Sequence, residues 1–94
     1  MKEQTIQKKI INAARARGAV VYNITAAYPN GCPDLLICYQ GRFIGLEIKK
    51  PGCVKNTTEL QRYNIDRIKK AGGFSAVLTC VQDLEIILDS VQSE

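Results

Sequence analysis

Two acids and a lysine carry the clearest chemical signal in this 94-residue chain: Asp34, which follows Pro33, and the Glu47-Ile48-Lys49 triplet. Carboxylates held close together draw in a cation, and all-oxygen ligation with retained waters suits Mg²⁺ or Mn²⁺. Such a cation polarises a phosphate oxygen and lowers the pKa of a bound water, while a nearby ammonium orients or activates the nucleophile. There is no histidine. That excludes Ser-His-Asp and Cys-His catalysis, His-ligated zinc and imidazole acid–base chemistry together. Among Cys32, Cys38, Cys53 and Cys80, no two stand at CxxC spacing, so zinc is not indicated. Any hydrolysis must run on carboxylates, Lys, Cys or Tyr, with a hard metal.

The three residues meet only if a hairpin brings them together. Leu35 to Tyr39 reads as a strand, Gln40-Gly41 as a turn, and Arg42 to Lys49 as a second strand ended by Pro51-Gly52. With a two-residue loop, Tyr39 faces Arg42, and counting back along both strands sets Asp34 across from Glu47. Opposed side chains share a face, with Cβ atoms roughly 4.5–5.5 Å apart. Lys49 projects from that face and Ile48 from the other. Two readings stand. Glu47 and Lys49 can be an ordinary ion pair on a wet sheet, with Asp34 a turn residue. Against this, Leu36, Cys38, Phe43 and Gly45 share the face and are expected to be buried, and charges at the end of an apolar face need a partner.

Around the hairpin, Ile6, Ile10, Ala13 and Ala14 recur at helical spacing between Glu3 and Arg17, and Gly18 stops the run. Ala19 to Ile24 is a short β-branched strand, and Tyr28-Pro29-Asn30-Gly31 is turn chemistry. Asn56-Thr57-Thr58 caps a helix to about Ala71, closed by Gly72-Gly73 with Lys69 and Lys70 in its last turn. Phe74 to Thr79 is another strand, and Leu84, Ile87, Leu88 and Val91 mark a final amphipathic helix. The expected fold is α/β in the order α-β-β-β-α-β-α, a central mixed sheet flanked by helices, one domain over residues 1–94.

Two further residues carry two readings each. Gln61 completes a capping box with Thr58, yet it lies on the Ile65, Ile68 and Gly72 stripe and could reach the site. Glu3 is either a dipole partner in a first turn or an inward-looking acid on the Gln7, Ile10 and Ala14 face. Cys38 and Cys80 are expected in strands as small buried hydrophobes. An apolar share of 46% is that of a folded globule, and thirteen Lys and Arg against nine acids leave a charge of +4 that suits a polyanion. Among the cations, Lys50 and Lys55 lie next to the site and are the expected phosphate contacts. No apolar run approaches the roughly 20 residues of a membrane span. Met1 to Lys9 is polar, without the apolar core of a signal peptide, and free thiols in a reducing cytoplasm are expected.

Gly31-Cys32-Pro33-Asp34-Leu35-Leu36, Gly41 to Lys49, Gln61 and Gly72-Gly73 together resemble the VRR-NUC domain, the virus-type replication-repair nuclease branch of the PD-(D/E)XK superfamily. The resemblance spans nearly the whole chain and implies a restriction-endonuclease-like core. It implies that Asp34, Glu47 and the Ile48 carbonyl ligate Mg²⁺ or Mn²⁺, with Glu3 at the family's acidic first-helix position. Lys49 would position the attacking water and Gln61 support the site. It further implies a deoxyribonuclease leaving 5′-phosphate and 3′-hydroxyl ends, structure-selective on branched DNA such as four-way junctions, and acting as a homodimer. The rival from another class is a non-catalytic DNA-binding subunit on the same fold.

Overall fold

Side-chain alternation and helical periodicity organise the chain into two layers of helix around one sheet. The computed structural model describes residues 2–25 and 30–93. It contains α1 (Glu3–Ala16), β1 (Val20–Asn23), β2 (Leu35–Tyr39), β3 (Arg42–Ile48), a single 3-10 turn (Val54–Asn56), α2 (Glu59–Lys70), β4 (Phe74–Leu78) and α3 (Val81–Gln92). The strands lie in the order β1-β2-β3-β4. The first two pairings are antiparallel, and β3 pairs with β4 in parallel, with α2 as the crossover. The order and the mixed sheet are those expected; the 3-10 turn was not foreseen. Tyr28 and Pro29 of the expected turn lie outside the described residues, whereas Asn30 and Gly31 do form a turn. Among the described residues, no helix is long and apolar enough to cross a membrane.

One face of the sheet forms the core. Val21, Leu35, Ile37, Ile44, Leu46 and Ile48 are buried there with Ile6, Ile10 and Ala14 of α1 and Leu84, Leu88 and Val91 of α3. Both helices meet this layer along an apolar stripe, spaced i, i+4, i+8 in α1 and i, i+4, i+7 in α3. Arg17, just past α1, ties the helix ends together: it donates to Glu85 at 2.7 Å and Asp89 at 2.8 Å on α3.

The other face departs from expectation. Its covering helix, α2, has twelve residues and packs over β3 and β4. The β1–β2 half therefore lies open. Cys38 is exposed rather than buried, Phe43 is 51% exposed, and Leu36 is only partly covered; Gly45 alone of the four is buried as expected. Cys80 likewise lies past the end of β4, half-buried, as the N-cap of α3. Alternation assigns a residue to a face, but only the length of the crossover decides how much of that face is covered.

Candidate active site

The hairpin turn sets the site. Gln40 and Gly41 both adopt positive φ, 53° and 73°. This is the two-residue turn whose twist matches that of the strands, and glycine enters its second position without strain. Pairing then runs from Tyr39↔Arg42 to Leu35↔Leu46. Asp34 and Glu47 are the next opposed pair, as the loop length required. Asp34 is held from two sides. Its carboxylate accepts from the Ile48 N–H at 2.9 Å, and its carbonyl accepts from the Ile24 N–H at 2.7 Å. A side chain pinned to the facing strand in this way cannot swing into solvent.

Gly45 lets the covering layer close down beside the site. A Cβ there would stand 2.7 Å from Ile68 Cδ1 and 3.1 Å from Pro33 Cγ. A side chain there would have to displace the tip of Ile68, so glycine suits the close approach of α2 to β3. Ser75 of β4 donates to the Gly45 carbonyl at 2.7 Å, which satisfies a buried hydroxyl beneath the helix.

Among the described residues, Glu47 is the one Asp or Glu that is buried. It is 3% exposed, and its Oε1 is buried with no hydrogen-bond partner. Lys49 Nζ stands 4.0 Å from Oε2, at the outer limit of an ion pair. Burial first, then hydrogen bonding to Asp34 and its negative charge, push the Glu47 carboxyl up to about 8; Lys49 draws it down, and Glu3 adds to the rise. A buried carboxylate facing a second carboxylate, with one distant ammonium, is under-compensated.

A hard divalent cation fits these residues. The orphaned Oε1 of Glu47 would supply one oxygen, and the Asp34 carboxylate, whose Oδ2 accepts from the Ile48 N–H, another. Among the described residues, however, no group of three or more His, Cys, Asp and Glu side chains could hold a metal ion. Main-chain oxygen, such as the Ile48 carbonyl, or water would have to complete such a shell. Glu3, half-buried in the first turn of α1, is near enough for its charge to raise Glu47 yet does not join the two acids as a third ligand.

Gln61 performs the capping role. Its Oε1 accepts from the Thr58 N–H at 2.9 Å, and its own N–H donates to Thr58 Oγ at 3.1 Å. The amide oxygen is thereby committed to the helix start. Lys50 and Lys55 are exposed on the segment leaving β3, Lys55 within the 3-10 turn.

Some neighbours of the site escaped sequence reasoning. The Cys32 thiol is pushed up by burial and then by the charges of Glu47 and Asp34, which places it beside the pair; its position two residues before Asp34 was the available signal. On the α1 side, Gln7, Lys8 and Asn23 line a polar cleft that reaches Asp34, and Gln7 Nε2 donates to Asn23 Oδ1 at 2.8 Å. No spacing rule links a helix glutamine to a strand-end asparagine.

No family model matches this chain, and no curated protein does. Among solved structures, one described as a VRR_NUC domain is similar, with a TM-score of 0.73 and 23% identity over 93% of this chain and 94% of that one. The likeness extends over both chains nearly in full and shows a shared fold, the one that the motif resemblance implied.

Proposed function

We propose that this chain is a Mg²⁺- or Mn²⁺-dependent deoxyribonuclease that hydrolyses phosphodiester bonds at the Asp34–Glu47 pair. The observation that carries the reading is the buried, unpartnered Oε1 of Glu47 opposite a second carboxylate. An arrangement that costs stability in a small domain is retained where it performs chemistry. A divalent cation bound by Asp34, Glu47 and the Ile48 carbonyl would supply polarisation of the phosphate and acidification of a water. The hydrogen bond from Ile48 N–H keeps Asp34 aimed across the hairpin. Lys49, with a side chain only 15% exposed, offers its ammonium to orient the attacking water and to offset charge developing on phosphate. Glu3 tunes Glu47 through space, and Gln61 supports the site by holding the start of α2. Lys50 and Lys55 receive the flanking phosphates.

The further reading is a cytoplasmic homodimer acting on branched DNA. Four free cysteines accord with a reducing compartment. Among the described residues, α1, α2 and α3 are all engaged with the sheet and none is spare for reading a groove, so recognition by shape with two symmetry-related sites suits so small a chain. β4 is an edge strand, and with α1 it is the surface offered for self-association.

The test is cleavage of a labelled four-way junction and its matched linear duplex in Mn²⁺ or Mg²⁺. Wild type should cut the junction preferentially, while Asp34→Asn and Glu47→Gln should lose about 10³-fold or more, equivalent to about 4 kcal/mol. Cleavage retained in both variants ends the assignment. Sedimentation at the monomer mass, with equal cutting of linear duplex, ends the dimer and the junction preference alone.

A further inference from the structure

The open half of the sheet has a composition that core packing does not explain. Cross-strand rows Val20–Cys38–Phe43 and Tyr22–Leu36–Gly45 lie on the same face as Asp34 and Glu47. Tyr22 is 65% exposed, Phe43 51% and Val20 52%. A groove runs between these rows and α2, lined by Leu36, Phe43, Asn64 and Arg67 among others. On the far side of Arg67 stands Tyr63, 59% exposed, with the guanidinium 5.7 Å from its ring centroid. The Tyr22 row is the one next to the carboxylate pair, about 7 Å away for two residues of strand.

Resting on the nuclease reading, we propose that this face is a stacking platform for unpaired nucleobases of the DNA strand, with Tyr22, Phe43 and Tyr63 as its aromatic surfaces. Charge decides between this occupant and a second copy of the chain. Among the described residues, the only charged residue lining the groove is Arg67, and no Asp or Glu lines it. A self-complementary contact uses the same patch on both copies, so it would bury two guanidiniums without an acid from the groove to meet them. A nucleotide brings an apolar ring and an anion together, which is the pairing the groove presents. Unpaired bases expose π-faces that any aromatic side chain accepts, whatever the sequence. Fully paired duplex has none to offer. The favoured substrate is therefore branched DNA with unpaired nucleotides beside the scissile phosphate, such as a flap or an opened junction centre.

The test is binding of fluorescein-labelled oligo(dT) and of a linear duplex in EDTA, followed by anisotropy, so that the readout is independent of cleavage. Tyr22→Ala and Phe43→Ala should each weaken oligo(dT) binding by about 5- to 150-fold and leave duplex binding unchanged. Tyr22→Phe should bind as wild type. Tyr22→Leu, which keeps an apolar side chain but not the ring, should lose as much as Tyr22→Ala. Unchanged oligo(dT) affinity in both alanine variants overturns the platform, as does wild-type affinity in Tyr22→Leu. If Phe43→Ala instead halves the sedimenting mass, a second copy covers the face and the proposal fails. Oligo(dT) binding that follows these substitutions in a protein without Mn²⁺-dependent cleavage would uphold the platform and remove the nuclease reading. Cleavage without such binding would do the reverse.

Discussion

The two faces of the sheet are built from the same strands and treat them oppositely. Towards α1 and α3, Leu35, Leu46, Ile44 and Ile48 are fully buried, and every side chain meets another apolar one. On the other face, the ends of the same two central strands carry Asp34, Glu47 and Lys49, and Phe43 of β3 and Tyr22 of the neighbouring β1 lie exposed. Stability is concentrated on the closed face, which leaves the other free to carry charges that would otherwise have no place in a small domain. A rigid backing layer is also what keeps opposed carboxylates from relaxing apart.

The widest separation between the faces should come from truncation. Ile10→Ala on the closed side should cost about 2–5 kcal/mol, because a fully buried aliphatic leaves a cavity among close-packed neighbours. Val20→Ala on the open side should fall within about 0.5 kcal/mol. Equal losses in urea denaturation would mean that the open face is covered in solution.

A second probe sharpens the contrast through pH. Because the folded state holds the Glu47 proton up to about 8, it binds more protons than the unfolded chain between the ordinary carboxylate value and that point. Stability therefore falls as pH rises through this window. Glu47→Gln removes the penalty, so its melting temperature should exceed wild type by about 4 °C or more at pH 8.5, with little difference at pH 4. Mn²⁺ at pH 8.5 should stabilise wild type and not the variant. A constant difference across pH would place the strain elsewhere.

The smallest expected effect concerns the helix over the site. Thr58→Ala, which removes one half of the capping box, should cost about 1 kcal/mol and leave cleavage in place. Gln61→Ala should cost a similar amount. If it also abolishes cleavage while Thr58→Ala does not, Gln61 acts on the site beyond its capping role.

Much of this was legible in the residues. The hairpin register followed from one two-residue turn, and with it the opposition of Asp34 and Glu47. Thr58 and Gln61 announced the helix start, and the apolar stripes of α1 and α3 marked the buried face. What the sequence did not show was coverage. Leu36, Cys38 and Phe43 sit where alternation put them, yet Leu36 is only partly covered and the other two are exposed. Nor could spacing place Cys32 or the Gln7–Asn23 pair beside the acids, because such contacts arise from how separate elements dock.

The Gln40-Gly41 turn has a consequence for how this molecule can change. It lies about 20 Å from the acids along the strands, roughly six residues at strand rise, and touches nothing there. Most surface loops absorb an added residue at little cost. Here one extra residue in the turn would slide β3 by a single step against β2. Glu47 would then point into the aliphatic layer, and Leu46 or Ile48 would take its place opposite Asp34. The length of this remote connection is thus under the same constraint as the reactive groups themselves. Loop variants sampled anywhere else on the surface would test folding, whereas those at Gln40-Gly41 would test whether the protein has any chemistry left.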